Sequence, residues 1–209
     1  MGKNSLPRYY RVNAARNAER RYLRNRESET KRVEKQREAT ANVVSMCALI
    51  ACNRAFGLGE ERLQRVQMRA MAVSEQFARV RDTMGWMRAK KWLNDQIGDF
   101  FAENFVLPVI VAPNSRKDWD KLHEQRDAAE PIVKFYIKAL HECMGFGKER
   151  AAVFVREVER EYREFGEMAK DGDYYGYQRL AREMSRILRS EMTVDESEAD
   201  EPIFGTSLD

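Results

Sequence analysis

The first forty residues concentrate side chains that bind phosphate. They carry twelve Lys/Arg against five Glu, a net charge of +7. Arginine presents a planar fork of donors that matches phosphate oxygens, and affinity for a nucleic-acid backbone rises with the number of such charges. We therefore predict a contact with DNA or RNA. The predicted contact residues are Arg16, Arg20, Arg21, Arg24, Arg26, Lys31, Arg32, Lys35 and Arg37. The alternative is a solvated helix whose glutamates pair with bases one turn away.

Two Gly-apolar-Gly turns are the second feature suited to phosphate. Residues 51–62 recur 88 positions later as residues 139–150, and each copy ends one helical segment and opens a longer one. Glycine leaves the N–H groups at a helix N-terminus accessible to an anion. The predicted turn residues are Gly57, Gly59, Gly145, Gly147, Lys148 and Arg150. The turns resemble the helix-hairpin-helix element of DNA repair and replication proteins, with Ala151 at its small-residue position. This resemblance implies contact with a DNA backbone.

A structural interpretation of the same turns is favoured. Phe56 and Met144 stand where the helix-hairpin-helix element has proline, and Glu60 and Glu61 open the first of the following helices. Two acids at that position repel a phosphate. We therefore expect helical hairpins in which glycine provides the C-cap.

Catalytic patterns find little support. His141 neighbours Cys143, but residues two apart point to different faces of a helix, so they do not form a nucleophile and its base. The sequence has no Cys-x-x-Cys, His-Glu-x-x-His or phosphate-loop pattern. We expect no enzymatic activity, no cofactor and no metal, with His141 and Cys143 packing in the second hairpin.

The elements that position these groups are predicted to be helices. Only 11 Gly and 5 Pro interrupt a chain rich in strong helix formers, with 34% charged residues for solvated faces. One apolar stripe at spacings of three and four comprises Leu63, Val66, Ala70, Val73, Phe77, Val80 and Met84. A second comprises Ala151, Phe154, Val158, Tyr162, Phe165 and Ala169. The predicted fold is an all-α bundle of two pseudo-repeats of a three-helix unit.

This fold divides the chain into five predicted segments. They are a basic arm or helix (1–40), repeat 1 (41–104), a connector with a short helix (105–130), repeat 2 (131–190) and an acidic tail (191–209). Within the connector, residues 105–114 favour an extended path, Ser115 favours a helix cap, and Pro131 favours the start or a kink of the next helix. The tail carries seven acids and no base. Basic arms and acidic tails are typical interaction segments.

Composition also suggests a location. Three cysteines are an odd number on apolar faces, which indicates reduced thiols in a cytoplasmic protein. Neither a signal peptide nor an apolar stretch long enough to span a bilayer is expected. The long exposed helices are compatible with a homodimer.

The segment Ala-Leu-His-Glu-Cys-Met-Gly-Phe-Gly-Lys-Glu-Arg at 139–150 is similar to stretches in small helical proteins. Those proteins are encoded by phages and prophages of Gram-positive bacteria. The resemblance covers the hairpin and following helix of each repeat, about half of the chain. It implies a phage origin and the cytoplasm of a bacterial host, and it brings almost no function.

Three functions follow from these observations. The leading hypothesis is a non-enzymatic phage-type accessory protein that contacts nucleic acid through its basic arm. The alternative is an inhibitor or adaptor, such as a counter-defence protein of anti-CRISPR type, which binds a host nuclease complex and uses the acidic tail as a phosphate mimic. A weaker alternative is a structural or virion-associated helical protein.

Overall fold

The computed structural model describes residues 29–98, 105–170, 172–192 and 194. Over these residues the protein is an all-α helical bundle, as predicted. The helices are α1 (Glu29–Phe56), α2 (Glu60–Met84), α3 (Trp86–Ile97), α4 (Arg116–Met144), α5 (Lys148–Ala169) and α6 (Asp173–Leu188).

The chain separates into two compact units, residues 1–36 and 37–209. Of the first unit, the structure describes residues 29–36, which begin α1. The basic helix and the first core helix, which the sequence suggested as separate elements, are continuous within α1. The packing contacts described in this subsection lie within the second unit.

The second half of α1 is the buried helix of the bundle. Residues 47–52 are all buried, and six consecutive residues cover more than one turn, so every side of the helix is enclosed. Burial raises the pKa of Tyr136 on α4, and the nearby Ser45 side chain partly offsets that increase. Arg54 reaches Glu161 of α5 at 2.6 Å and Glu183 of α6 at 3.6 Å. Three helices therefore surround α1.

This helix is also long and apolar enough to cross a membrane by composition alone. Its segment Lys31–Phe56 contains an 18-residue window of mean hydropathy 1.2, whereas the sequence led us to expect no such stretch. Half of that window is buried inside the protein. The core helix of a soluble bundle and a helix near the N-terminus pass the same test, so the finding carries little weight.

Helix α2 packs its apolar stripe against α3 and α4. The stripe is buried from Leu63 to Phe77, as predicted, and Phe77 contacts the rings of Trp86 and Phe135 edge-on at 5.4 Å. The prediction was wrong for Met84, which is 59% exposed. Gly85 ends the helix there and reverses the chain, so that Trp86, and not Met84, covers Phe77.

Helix α4 is one continuous element of 29 residues. Ser115 and Asp118 form a reciprocal capping box at its N-terminus, which confirms the predicted cap. Pro131 lies inside the helix and neither starts nor ends it. Proline costs about 3 kcal/mol in a helix interior, and burial of the segments on both of its sides, including Ala129 and Val133, offsets that cost.

The connector before α4 contains neither helix nor strand and is partly buried, while its predicted extended path stays a prediction. Phe105 and Leu107 are buried, while Val106 donates its backbone N–H to Glu159 of α5 at 3.3 Å. Ile110 lies directly over Gly166 of α5. The connector therefore follows α5, and the absence of a side chain at Gly166 makes this approach feasible.

Helices α5 and α6 form an antiparallel pair. The six members of the predicted α5 stripe are all buried. Gly176 of α6 sits against the ring of Phe165, and Tyr177 meets the same ring edge-on at 5.5 Å. The predicted acidic tail lies outside the described residues from Asp195 onward.

Candidate functional site

Four of the residues that we predicted to contact nucleic acid are described by the structure, and they lie at the start of α1. Lys31, Arg32, Lys35 and Arg37 are all exposed there. At 100° per residue, the first three fall within an arc of 100° on the helix, whereas Arg37 lies on the opposite side. Lys31, Arg32 and Lys35 also have interactions within the chain, as expected if some of them pair with glutamates.

The remaining predicted contact residues have no structural description. Arg16, Arg20, Arg21, Arg24 and Arg26 precede residue 29 and lie outside the described residues. The structure therefore brings together one triplet of bases, Lys31, Arg32 and Lys35, on a helix face. The other predicted bases, which precede this triplet in the chain, are known from the sequence only.

The two glycine turns have the same local geometry. Gly57 and Gly145 both adopt a left-handed conformation at φ 63°. Each donates its N–H to the carbonyl oxygen four residues earlier, Asn53 at 2.8 Å and His141 at 2.9 Å. A residue with a Cβ is strained in this conformation, which explains glycine at both positions.

The side chains that close the two turns also correspond. Asn53 donates its side-chain amide to the Leu58 carbonyl at 3.0 Å. At the matching positions in the second turn, His141 Nδ1 lies 2.8 Å from the Phe146 carbonyl oxygen. Leu58 and Phe146 are both buried. These hydrogen bonds and buried residues therefore correspond in the two turns, while the two-copy arrangement of the whole chain stays a prediction.

The other predicted residues of the two turns, Gly59, Gly147, Lys148 and Arg150, differ from one another in their contacts. Gly59 and Gly147 are extended N-caps without a side-chain cap. Lys148 is exposed on the first residue of α5. Arg150 instead stacks its guanidinium 4.5 Å from the centre of the Phe146 ring and donates to the Gly145 carbonyl at 2.6 Å. It therefore closes its own turn.

The two turns meet at a cleft of about 280 Å³. Its lining consists of three pairs of residues, each pair 88 positions apart: Phe56 and Met144, Leu58 and Phe146, Arg62 and Arg150. The rings of Phe56 and Phe146 meet edge-on at 4.6 Å. The cleft thus has an apolar floor and an arginine from each hairpin. Sequence reasoning found the turns but not this cleft, because the cleft exists only once the turns pack together.

A buried ion-pair cluster is the second feature that the sequence did not reveal. Glu161 is fully buried and accepts hydrogen bonds from Arg54 at 2.6 Å and from Arg179 at 2.7 Å. Glu164 contacts both arginines from the helix surface, and Glu183 lies 3.6 Å from Arg54. A buried carboxylate requires such compensation. The cluster joins α1, α5 and α6, and its charges are paired with one another.

Two of the three cysteines, Cys47 and Cys52, are buried thiols that are unsuited to nucleophilic chemistry. Burial raises the pKa of the Cys47 thiol, and the negative charge of nearby Glu161 adds to that increase. Burial also raises the pKa of Cys52. Both residues therefore remain protonated thiols and pack as small apolar groups. Cys143, in the second hairpin, is only partly buried.

No group of three or more His, Cys, Asp or Glu is placed to hold a metal ion in the part of the chain that the structure describes. Comparison with known proteins adds no assignment, because no family model, curated protein or solved structure matches this chain. The resemblances suggested by the glycine turns and by residues 139–150 therefore stay predictions.

Proposed function

We propose that this protein, a phage-type accessory protein, acts by binding and contacts nucleic acid through the basic face of its N-terminal helix. The observation that carries the proposal is the exposed triplet Lys31, Arg32 and Lys35 on one face of α1. Three cations within a 100° arc present adjacent donors to successive phosphates. All three residues also have interactions within the chain, and their exposure places these interactions in competition with solvent.

Three bases at positions i, i+1 and i+4 occur twice in the N-terminal sequence. Arg20, Arg21 and Arg24 stand eleven residues before Lys31, Arg32 and Lys35. Eleven residues correspond to about three α-helical turns, so helical structure across both triplets would align them on one face. This recurrence favours a backbone-tracking contact over scattered surface charge. It also predicts a binding surface longer than the described part of α1.

Salt dependence gives the sharpest test. Each phosphate contact contributes about −0.9 to the slope of log K against log salt for duplex DNA, and about −0.7 for a single strand. Replacing the triplet by Lys31→Gln, Arg32→Gln and Lys35→Gln should therefore make the slope shallower by about 2 to 3. Binding of the full chain to fluorescein-labelled duplex DNA, duplex RNA and single strands would be measured by anisotropy over a salt series.

A matched control removes the same charge elsewhere. Arg65, Arg79 and Arg88 are exposed on α2 and α3, and their triple glutamine variant has the same net charge as the α1 variant. We expect the control to retain most of the affinity and the slope. Equal losses in both variants would show a nonspecific charge effect and refute the assignment to α1. If the full chain binds none of the nucleic acids, the inhibitor or adaptor function becomes the better hypothesis.

A further inference from the structure

The cleft between the glycine turns combines apolar residues with two arginines. Such a lining is suited to bind a segment that has apolar side chains next to carboxylates. Phe56, Leu58, Met144 and Phe146 supply its apolar lining. Arg150 is held over Phe146 by stacking and by its hydrogen bond to Gly145. A volume of about 280 Å³ is slightly below the roughly 300–1,000 Å³ of small-molecule pockets, which suits a side chain better than a cofactor.

The second arginine of the cleft is available for a partner. Arg62 is exposed and has no hydrogen-bond or ion-pair partner among the residues that the structure describes. The first turns of α2 and α5 also contain three acids, Glu60, Glu61 and Glu149, but none of them lines the cleft. Glu60 accepts a hydrogen bond from Gln64 of its own helix. The charge that faces an occupant is therefore positive.

We propose that residues 198–204 of this chain occupy the cleft, with Ile203 and Phe204 on its apolar floor and Asp200 and Glu201 facing Arg62 and Arg150. This segment reads Glu-Ala-Asp-Glu-Pro-Ile-Phe, in which one proline separates three acids from two apolar side chains. It belongs to the acidic tail (191–209), which carries seven acids and no base. Its chemistry complements both parts of the cleft.

The end of the described chain lies within reach of the cleft. Met192 donates its N–H to the Ser185 hydroxyl at 2.9 Å, so the chain folds back beside the last turns of α6. Glu183, half a turn earlier, lies 3.6 Å from Arg54, two residues before Phe56 of the cleft. The ten residue steps from Val194 to Phe204 span at most about 33–36 Å. This length is ample for a path that starts beside α6.

The inference is independent of nucleic-acid binding and concerns an intramolecular surface. A test uses amide resonances of the ¹⁵N-labelled full chain. Phe204→Ala should shift the amides of the cleft turns, Gly57, Gly59, Gly145 and Gly147, while Leu208→Ala, a change outside the segment, should leave them in place. These substitutions lie in the tail and do not touch the core.

The reciprocal experiment reads the contact from the other side. Arg62→Ala should shift the amide of Gly205, which follows Phe204, whereas Arg79→Ala at a distant exposed position of α2 should not. Both sets of shifts should be the same at ten-fold different protein concentrations. Turn amides that ignore Phe204→Ala would overturn the proposal. Shifts that grow with concentration would also overturn it, because they would assign the cleft to a second copy of the chain.

Discussion

The substitution Glu161→Gln tests the energetic role of the buried ion-pair cluster. It preserves the volume of the side chain and removes only its charge. Glu161 is fully buried and accepts charged hydrogen bonds from Arg54 and Arg179. Glutamine keeps one oxygen acceptor but presents an NH₂ group to the other guanidinium, so one hydrogen bond is lost and the other is weakened.

The size of the effect follows from these contacts. A hydrogen bond to a charged group contributes about 1.5–3 kcal/mol, and a neutral acceptor provides roughly half of that strength. We therefore expect Glu161→Gln to lower the free energy of unfolding by about 2–3 kcal/mol. Complete disruption of a buried pair costs about 3–5 kcal/mol. The loss should be smaller here because Arg54 remains 3.4 Å from Glu164 and 3.6 Å from Glu183.

The matched control is Glu164→Gln. Glu164 contacts the same two arginines but its side chain is 43% exposed, and solvent screening limits such pairs to about 0–1 kcal/mol. Urea unfolding of the full chain, followed by circular dichroism at 222 nm, gives both values, with an unchanged m-value expected. For a chain of this length, Glu161→Gln should lower Tm by about 4–12 °C. If the control destabilises the protein as much as Glu161→Gln, burial is not what gives Glu161 its importance.

Three further predictions concern the turns, the connector and the thiols. Gly145→Ala should lower the free energy of unfolding in urea by about 1–2 kcal/mol, because it forces a residue with a Cβ into a left-handed conformation. Gly147→Ser should raise it by a few tenths of a kcal/mol, because serine provides an N-cap for α5. Equal effects of the two substitutions would contradict this prediction. Gly166→Ala places a Cβ against the Ile110 side chain and should cost about 1–3 kcal/mol in urea unfolding. A double-mutant cycle with Ile110→Ala should recover part of this loss, and strict additivity of the two substitutions would disprove the contact. Burial raises the pKa of the two core thiols, Cys47 and Cys52. Only Cys143 should therefore react with a thiol reagent at pH 8 before denaturation. Rapid reaction of all three cysteines would show that Cys47 and Cys52 are not buried.

Local patterns predicted much of this fold. The glycine turns follow from chemistry within six residues, and the buried stripe of α5 follows from its spacing. The helix start that was one expectation at Pro131 is absent, because tertiary packing on both sides overrides the local preference of proline. Met84 continues the spacing of the α2 stripe, yet the reversal at Gly85 leaves it exposed.

The cleft and the ion-pair cluster were beyond the reach of local patterns. Arg54 and Glu161 are 107 residues apart, and each is an ordinary charged residue in a sequence that is 34% charged. Arg150 was predicted as a turn residue, but the sequence did not show that it would line a cleft together with Arg62. By contrast, the basic character of the N-terminal segment is evident from composition, although only its last members are described structurally.

The central position of α1 has a consequence for synthesis on the ribosome. The apolar residues from Val43 to Cys52 emerge early, but their partners on α5 and α6 are more than 100 residues further along. At roughly 5–20 residues per second, Leu188 follows Val43 by about 7–30 s. During that interval the future core helix has no complete enclosure. The nascent chain is therefore expected to need a chaperone, or a temporary partner for this helix, until its last helix is made.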